Sequence, residues 1–437
     1  MSAAGGTVRV TDSMNKGSSM SDAPRGMGRL AGIVAVLTTC SLTAAMPHGV
    51  AADRDPLAVT NVRVTERQAA TATLTFDVTW KDSWRHEGNH DAMWVFFKYR
   101  PKGADDWRHV RLAADRTLNP TGYGQAEGTR VDLIVPDGDD GYLGMLVRRA
   151  EYGLGTVEAQ GVTARWDLRS ARGVPPDHDV ALLAFGIEMA FIPEGSYLLG
   201  DGGTQTFHFY QYTDGSQHHK PYRVAAAGAI QTGRQPGRLW ARGNEPEDGG
   251  QIPAAYPTGY GAFYAAKRHA MSLYPAFAAR LSEDEKQTFN RWQSNQYSGS
   301  WPDGAAFAAW AALRPLSELE YEKLTRGPTE PGWNTGDSLD HPSFWGVHNI
   351  NGWRVPREQT VTVANAAGRR FRGTHGGGTT TLPADWPQQD AVGAGVRGGY
   401  NTAGDPSCRA DAATGAATPR NGLGWRAART APKGVGL

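Results

Sequence analysis

The sequence predicts an α+β chain in which an all-β sandwich precedes a larger mixed domain. Three observations carry this expectation. The 437 residues exceed what one hydrophobic core usually serves, so two folded domains are the natural reading. Between Val59 and about Leu168 apolar and polar residues alternate with a period of two, with no helical stretch. After "RSARGVPPDHD" helical patterns appear between further short strands, with helix-start signals. The expected division is 1–52 signal peptide, 53–168 sandwich, 169–181 linker, 182–432 mixed domain and 433–437 tail.

The leader has the layout of an export signal. In "MGRLAGIVAVLTTCSLTAAMPHGVAAD", Arg29 precedes an apolar run from Leu30 to Leu37, and Val50-Ala51-Ala52 offers a small-residue cleavage site. The run is too short to span a bilayer. Met14, Met20 and Met27 are alternative starts to Met1. The expected location is therefore secreted or cell envelope. Cys40 admits a second reading as a lipoprotein cysteine, because Leu37 stands three residues before it, although Thr39 is larger than such sites favour. If cleavage follows Ala52, Cys408 is the one remaining cysteine, an internal disulfide is ruled out, and stability rests on core packing.

In the sandwich, "TATLTFDVTW" places Leu74, Phe76, Val78 and Trp80 on one face. "AMWVFFKYR", "WRHVRLAA", "TRVDLIVP", "LGMLVRRA" and "GTVEAQGVTARWDL" follow as strands, separated by turns such as "PDGDDG". In the mixed domain "IEMAFIPEGSYLLGDG" reads as strand, Pro-Glu-Gly turn, strand. "KRHAMSLYPAFAARL" has helical spacing. "LSEDEKQTFNRWQ" and "LSELEYEKLTRGP" each open on a capping box, Ser282 with Glu285 and Ser317 with Glu320, the second ending at Gly327-Pro328. Beyond Trp345 the chain is glycine-rich.

Composition narrows the function classes. Forty-five basic and forty-four acidic residues leave a formal charge of +1, so no overall field attracts nucleic acid or anionic membrane. "HEGNH" (His86–His90) fits the spacing of a zinc protease, but that chemistry needs a regular helix, and Gly88-Asn89 lies between two predicted strands. It reads as a polar hairpin loop. His218-His219 and Asp137, Asp139 and Asp140 read as solvated loop and turn. "GTHGGGTTTLP" (373–383) reads as a flexible loop. Trp333, Trp345, Trp353 and Trp386 are either ligand-facing aromatics or core plugs.

Three motifs in order over some 250 residues carry a resemblance. "MAFIPEGSYLLGDG" is similar to the opening of the formylglycine-generating enzyme, or sulfatase-modifying factor, family. "RPLSELEYEKLTRG" resembles that family's central motif through Arg314, Glu318, Glu320, Glu322, Arg326 and Gly327. "VRGGYNT…SCRADA…RNGLGWRAAR" resembles its closing segment through Arg397, Gly398, Gly399, Cys408, Arg409, Arg420, Gly424, Trp425 and Arg426. The resemblance implies a C-type-lectin-like core with two helices and long loops. It fits a secreted bacterial branch with an N-terminal β domain, in which "ADWPQQDAVGAG" stands where "G-N-V-W-E-W" is usual.

In the enzymes of that family two closing-segment cysteines hold one copper ion and oxidise a sulfatase cysteine to formylglycine. Cys408 falls at the first of those positions, and Ala413 stands at the second. Copper(I) favours paired thiolates, so no cofactor is expected here, with copper reserved for the oxidase reading. Relatives with nonheme iron take histidine ligands from a helical N-terminal domain, whereas the domain here reads as β. The expected function is a non-catalytic binder of a surface ligand, protein or glycan, with no nucleic acid and no membrane span. The alternative is a sulfatase-modifying-factor-type oxidase, generating formylglycine or carrying out nonheme-iron-type oxidation, that uses Cys408 or another site. The glycine pair Gly398-Gly399 is expected to allow close backbone packing, and the terminal arginines to anchor loops through forked hydrogen bonds.

Overall fold

Alternation alone cannot say what covers the second face of a strand, and in this chain both faces of the central sheet are covered. The structure is a computed structural model that describes residues 57–136, 142–170, 180–200, 208–214, 220–241, 249–268, 273–289, 298–329, 342–348, 350, 358–398, 408–409, 414–417, 420–421 and 423–435. Of these, 43% lie in strands and 12% in helices, so the fold is β-rich. Among them no helix is long and apolar enough to cross a membrane.

Two large sheets take up the N-terminal strands, the second of them together with strands from the C-terminal half. The first runs in the order Ala58–Arg67, Thr71–Arg85, Gly153–Asp167, Glu127–Gly128. The second runs Arg314–Pro315, Ala427–Thr430, Phe263–Ala266, Val180–Ile192, Asp91–Pro101, Met145–Arg149, Val131–Ile134, with Arg108–His109 paired to the Asp91–Pro101 strand. Leu74, Phe76, Val78 and Trp80 are buried on one face, as their spacing requires. They meet Met93, Val95, Phe97 and Tyr99 of the second sheet. The intervening residues Trp94 and Phe96 point the other way, into a second core with Phe185, Ile187 and Met189. This explains why "AMWVFFKYR" is a nearly unbroken apolar run, since a strand buried on both faces has no polar side to show.

The second sheet extends past residue 168. The Val180–Ile192 strand pairs antiparallel with Asp91–Pro101 along its whole length, from Asp91 opposite Ala190 to Pro101 opposite Val180. Residues 171–179 of the stretch read as a linker lie outside the described residues, and Arg54–Leu437 packs as one compact unit. The strand, turn, strand reading of the 187–202 region holds as Val180–Ile192 and Tyr197–Leu199, with Gly195 at φ 149° in the turn. "WRHVRLAA" is shorter than expected, with only Arg108–His109 laddered.

Five helices sit among the described residues: α1 Tyr274–Ala278, α2 Glu283–Phe289, α3 Trp301–Trp310, α4 Glu318–Arg326 and α5 Thr414–Ala417. Both capping boxes form. Ser282 N–H donates to Glu285 at 2.8 Å, and Ser317 N–H donates to Glu320 at 3.0 Å. Gly327 ends α4 at φ 68°. Among the described residues of "KRHAMSLYPAFAARL" the helix is the short α1, while its first residue, Lys267, continues from the Phe263–Ala266 strand and donates its N–H to Glu188 O. The fully buried α3, "WPDGAAFAAW", was not legible as a helix. Its apolar residues go all round the axis and give no stripe.

The "GTHGGGTTTLP" loop is packed rather than free. Gly376 N–H donates to Leu313 O at 2.8 Å and Gly378 N–H to Ala309 O at 3.0 Å. A Cβ at Gly376 would lie 2.2 Å from the Ala309 Cα. The glycines serve close backbone approach here.

Candidate functional site

The described charged side chains of the central motif come together with Arg397, and they face inward. From the strand Ala394–Gly398, Arg397 sends one amino group 2.6 Å to Glu322 and the other 3.0 Å to Glu318 on α4. Glu322 also accepts from Gly200 N–H at 2.6 Å and Arg326 at 3.2 Å, while Arg326 donates to Leu198 O and Gly200 O. Glu318 accepts from Ala364 N–H at 2.5 Å. Arg314 and Glu320 form a separate forked pair, at 2.6 and 2.8 Å. These side chains are at most 3% exposed. α4 carries the acids at 318 and 322, one turn apart, so both meet Arg397 on the same side.

The closing residues are anchored in the same manner. Arg426 donates to Ala266 O and His348 O, and burial lowers its pKa to about 10. Trp425 lies against α3, where a Cβ at Gly304 would stand 2.6 Å from its ring. Gly398 sits at φ 95°, a conformation that favours glycine, and Gly424 pairs opposite Gln359 in a parallel ladder. The backbone of Cys408–Arg409 pairs beside this strand, Cys408 opposite Arg397 and Arg409 opposite Val396. Gly399 and Ala413, and the side chains of Cys408, Arg409 and Arg420, lie outside the described residues. So do His218, His219, Asp137, Asp139, Asp140, Trp333 and Trp353. Trp386 is fully buried and Trp345 nearly so, which makes both core plugs.

"HEGNH" forms the expected hairpin turn. His86 N–H donates to Asn89 O at 3.0 Å, and Arg85 bridges His90. His86 is exposed, while His90 is wholly buried, stacked 4.6 Å from Phe191 and 2.9 Å from the Tyr264 hydroxyl. The two histidines therefore do not share a face. Asn89 pins the hairpin to the 342–348 loop, since its amide donates to Trp345 O at 3.0 Å and its carbonyl accepts from Trp84 Nε1 at 2.9 Å.

Beside that pin opens a cleft of about 420 Å³, lined by Asp82, Ser83, Trp84, Leu154, Lys267 and His348, with Pro342, Gly155 and Gly346 completing its walls. That volume lies within the range of small-molecule sites. A β-bulge between Trp80 and Ser83, with Asp82 at φ 53°, reorients the strand end so that Trp84 comes opposite Leu154. Leu154 is 81% exposed at the rim.

Lys267 forms the floor. Its ammonium donates to Glu188 at 2.5 Å and lies 3.3 Å from Asp82 O, 3.5 Å from Asp91 and 4.4 Å from the Trp84 ring centre. Asp91 also accepts from Trp80 Nε1, Ser83 Oγ and Trp84 N–H. Burial pushes both carboxyls above the ordinary range, against the pull of Lys267. His348 is half-buried, and burial together with Arg268, Lys267 and Arg426 lowers its pKa to about 4, so its imidazole is neutral at pH 7. Its backbone N–H is fixed by Lys267 O at 2.8 Å.

Sequence reasoning does not find this cleft. One signal was available: Glu188 is a lone acid inside the apolar strand "GIEMAF", which asks for a buried partner. Among the described residues no group of three or more His, Cys, Asp or Glu side chains is arranged to hold a metal ion. Fold and site together define a β-rich protein with an inward ion network and an open cleft. Set against family models, characterised proteins and solved structures, the chain matches none.

Proposed function

We propose that this chain is an exported binding protein whose C-terminal part is a formylglycine-generating-enzyme-like domain of C-type-lectin-like type, and that it acts without catalysis. One observation carries the reading. The charged motif side chains that are described (Arg314, Glu318, Glu320, Glu322, Arg326, Arg397, Arg426) are spent on internal hydrogen bonds and ion pairs, whereas the cleft at Trp84 carries the exposed Asp82 and the half-buried His348. Groups held this way position backbone; they do not meet a substrate. The donor set argues in the same direction, because Ala413 stands where copper would need a second thiolate beside Cys408.

The oxidase reading keeps one point in favour, the laddering of Cys408 directly against Arg397. Copper(I) titration of the full chain, with oxygen uptake on a Cys-x-Pro-x-Arg peptide, decides between the two. The binding reading expects weak copper uptake and no turnover. Tight copper binding with turnover that disappears in Cys408→Ser overturns it.

A further inference from the structure

The cleft at Trp84 has a chemistry that selects among ligands. Lys267 invites an anion at first sight, but its ammonium already faces Glu188, Asp91 and the Asp82 carbonyl. An incoming carboxylate would join two carboxyls around one ammonium. An incoming cation would meet Lys267 itself, with Arg268 and Arg426 near enough to act on His348. The floor therefore compensates its own charge, and a charged ligand is left with the exposed Asp82 at the rim rather than with Lys267.

What remains open is one carboxylate at the rim, Asp82, beside an uncharged imidazole and apolar surface. No hydrogen bond from the His348 imidazole joins it to the described residues, and a neutral imidazole offers one donor and one acceptor. A hydroxyl, which both donates and accepts, matches that pair. The Asp82 side chain stands exposed at the rim as an acceptor. The rest of the lining is Leu154, Pro342, glycine backbone and the part of the half-buried Trp84 ring that Lys267 does not cover, which suits the C–H face of a saturated ring. Leu154, 81% exposed, offers its side chain to a ligand at this rim.

We propose that this cleft binds a neutral saccharide residue, seated with its C–H face on Trp84 and Leu154 and its hydroxyls on His348 and Asp82. The proposal deepens the binding-protein reading above and rests on it.

The test is isothermal titration of the full chain with neutral oligosaccharides built from glucose, galactose, mannose, xylose and N-acetylglucosamine. Hexanoate and hexylamine serve as charged, apolar comparators. Parallel pull-down on the corresponding insoluble polysaccharides separates free sugar from polymer as the source. At least one saccharide series is expected to bind, with affinity falling about tenfold or more in His348→Ala and Asp82→Asn, a loss of about 1.4 kcal/mol each at tenfold. Leu154→Arg blocks the rim without touching either core and is expected to abolish binding, which covers the case in which Trp84→Ala fails to fold. Absence of binding across the panel overturns the proposal. So does binding that the three rim and wall variants leave unchanged, or preference for hexanoate or hexylamine. Copper-dependent turnover would instead overturn the binding-protein reading, so the two failures are distinguishable.

Discussion

Arg314 and Glu320 meet fork to fork, with both amino groups of the guanidinium on both oxygens of the carboxylate, six residues apart and away from water. Glu320 closes the α4 capping box with the same carboxylate. Removing one partner leaves a buried, uncompensated charge. Glu320→Ala is expected to cost about 3–5 kcal/mol in urea denaturation. The double change Arg314→Met with Glu320→Leu is expected to lose clearly less than the sum of the single changes. Additive losses would show that the pair carries no coupling.

Gly200 concentrates more structure than its size suggests. Its N–H serves Glu322, its carbonyl serves Arg326, and it sits at φ 67° where a Cβ would lie 1.6 Å from Phe209 O. Gly200→Ala is expected to destabilise by more than about 2 kcal/mol, combining left-handed strain with a backbone collision. Gly195→Ala is the comparison, because a Cβ there meets nothing within 4 Å. Its cost should be smaller, and denaturation midpoints of the two variants check the order.

Acid should weaken the fold before ordinary carboxylates titrate. Burial lowers the pKa of His90, His109 and His375, and His348 falls to about 4. The unfolded chain binds protons at these sites from about pH 6.5 downward, while the native chain does not. Stability contributed here is present above pH 6.5 and is lost as pH falls towards 4. Unfolding at pH 5.5 should therefore take up protons, measurable by calorimetry in buffers of different ionisation enthalpy. His348→Gln should reduce the uptake.

Glu188 acts with the opposite sign. Burial raises its pKa to about 7, so the native state holds its proton where the unfolded state has released it. Its contribution falls as pH rises from about 4.5 to 7. Glu188→Gln is expected to gain stability relative to the parent as pH rises through that window, with Lys267 keeping its contact to Asp91. A pH-independent difference between the two proteins would count against the assignment.

Legibility in the sequence tracked local physics. Leu74 to Trp80 alternate because one face meets a core, and Ser317 with Glu320 announces a helix because both groups are three residues apart. Arg397, Glu318 and Glu322 could each be singled out from their motifs, but not their pairing, since the two acids lie 79 and 75 residues from Arg397. The α3 helix was hidden because all ten of its residues are buried and its pattern has no polar face. The cleft was hidden for a different reason: Trp84, Lys267 and His348 come from three segments, and only the fold brings them together.

Lys98 shows how tightly the two cores are tied. It sits in the strand whose alternate residues feed both, and its ammonium ends 2.7 Å from Trp310 O and 2.7 Å from Gly378 O. The sheet is thus a party wall, plastered on both sides. A fragment ending near residue 168 would keep one room and lose the other, leaving Trp94, Phe96 and Lys98 facing water without the helix and loop that now enclose them. The N-terminal strands are accordingly a foundation course for the rest of the chain, and a search for partners of this protein calls for the whole chain.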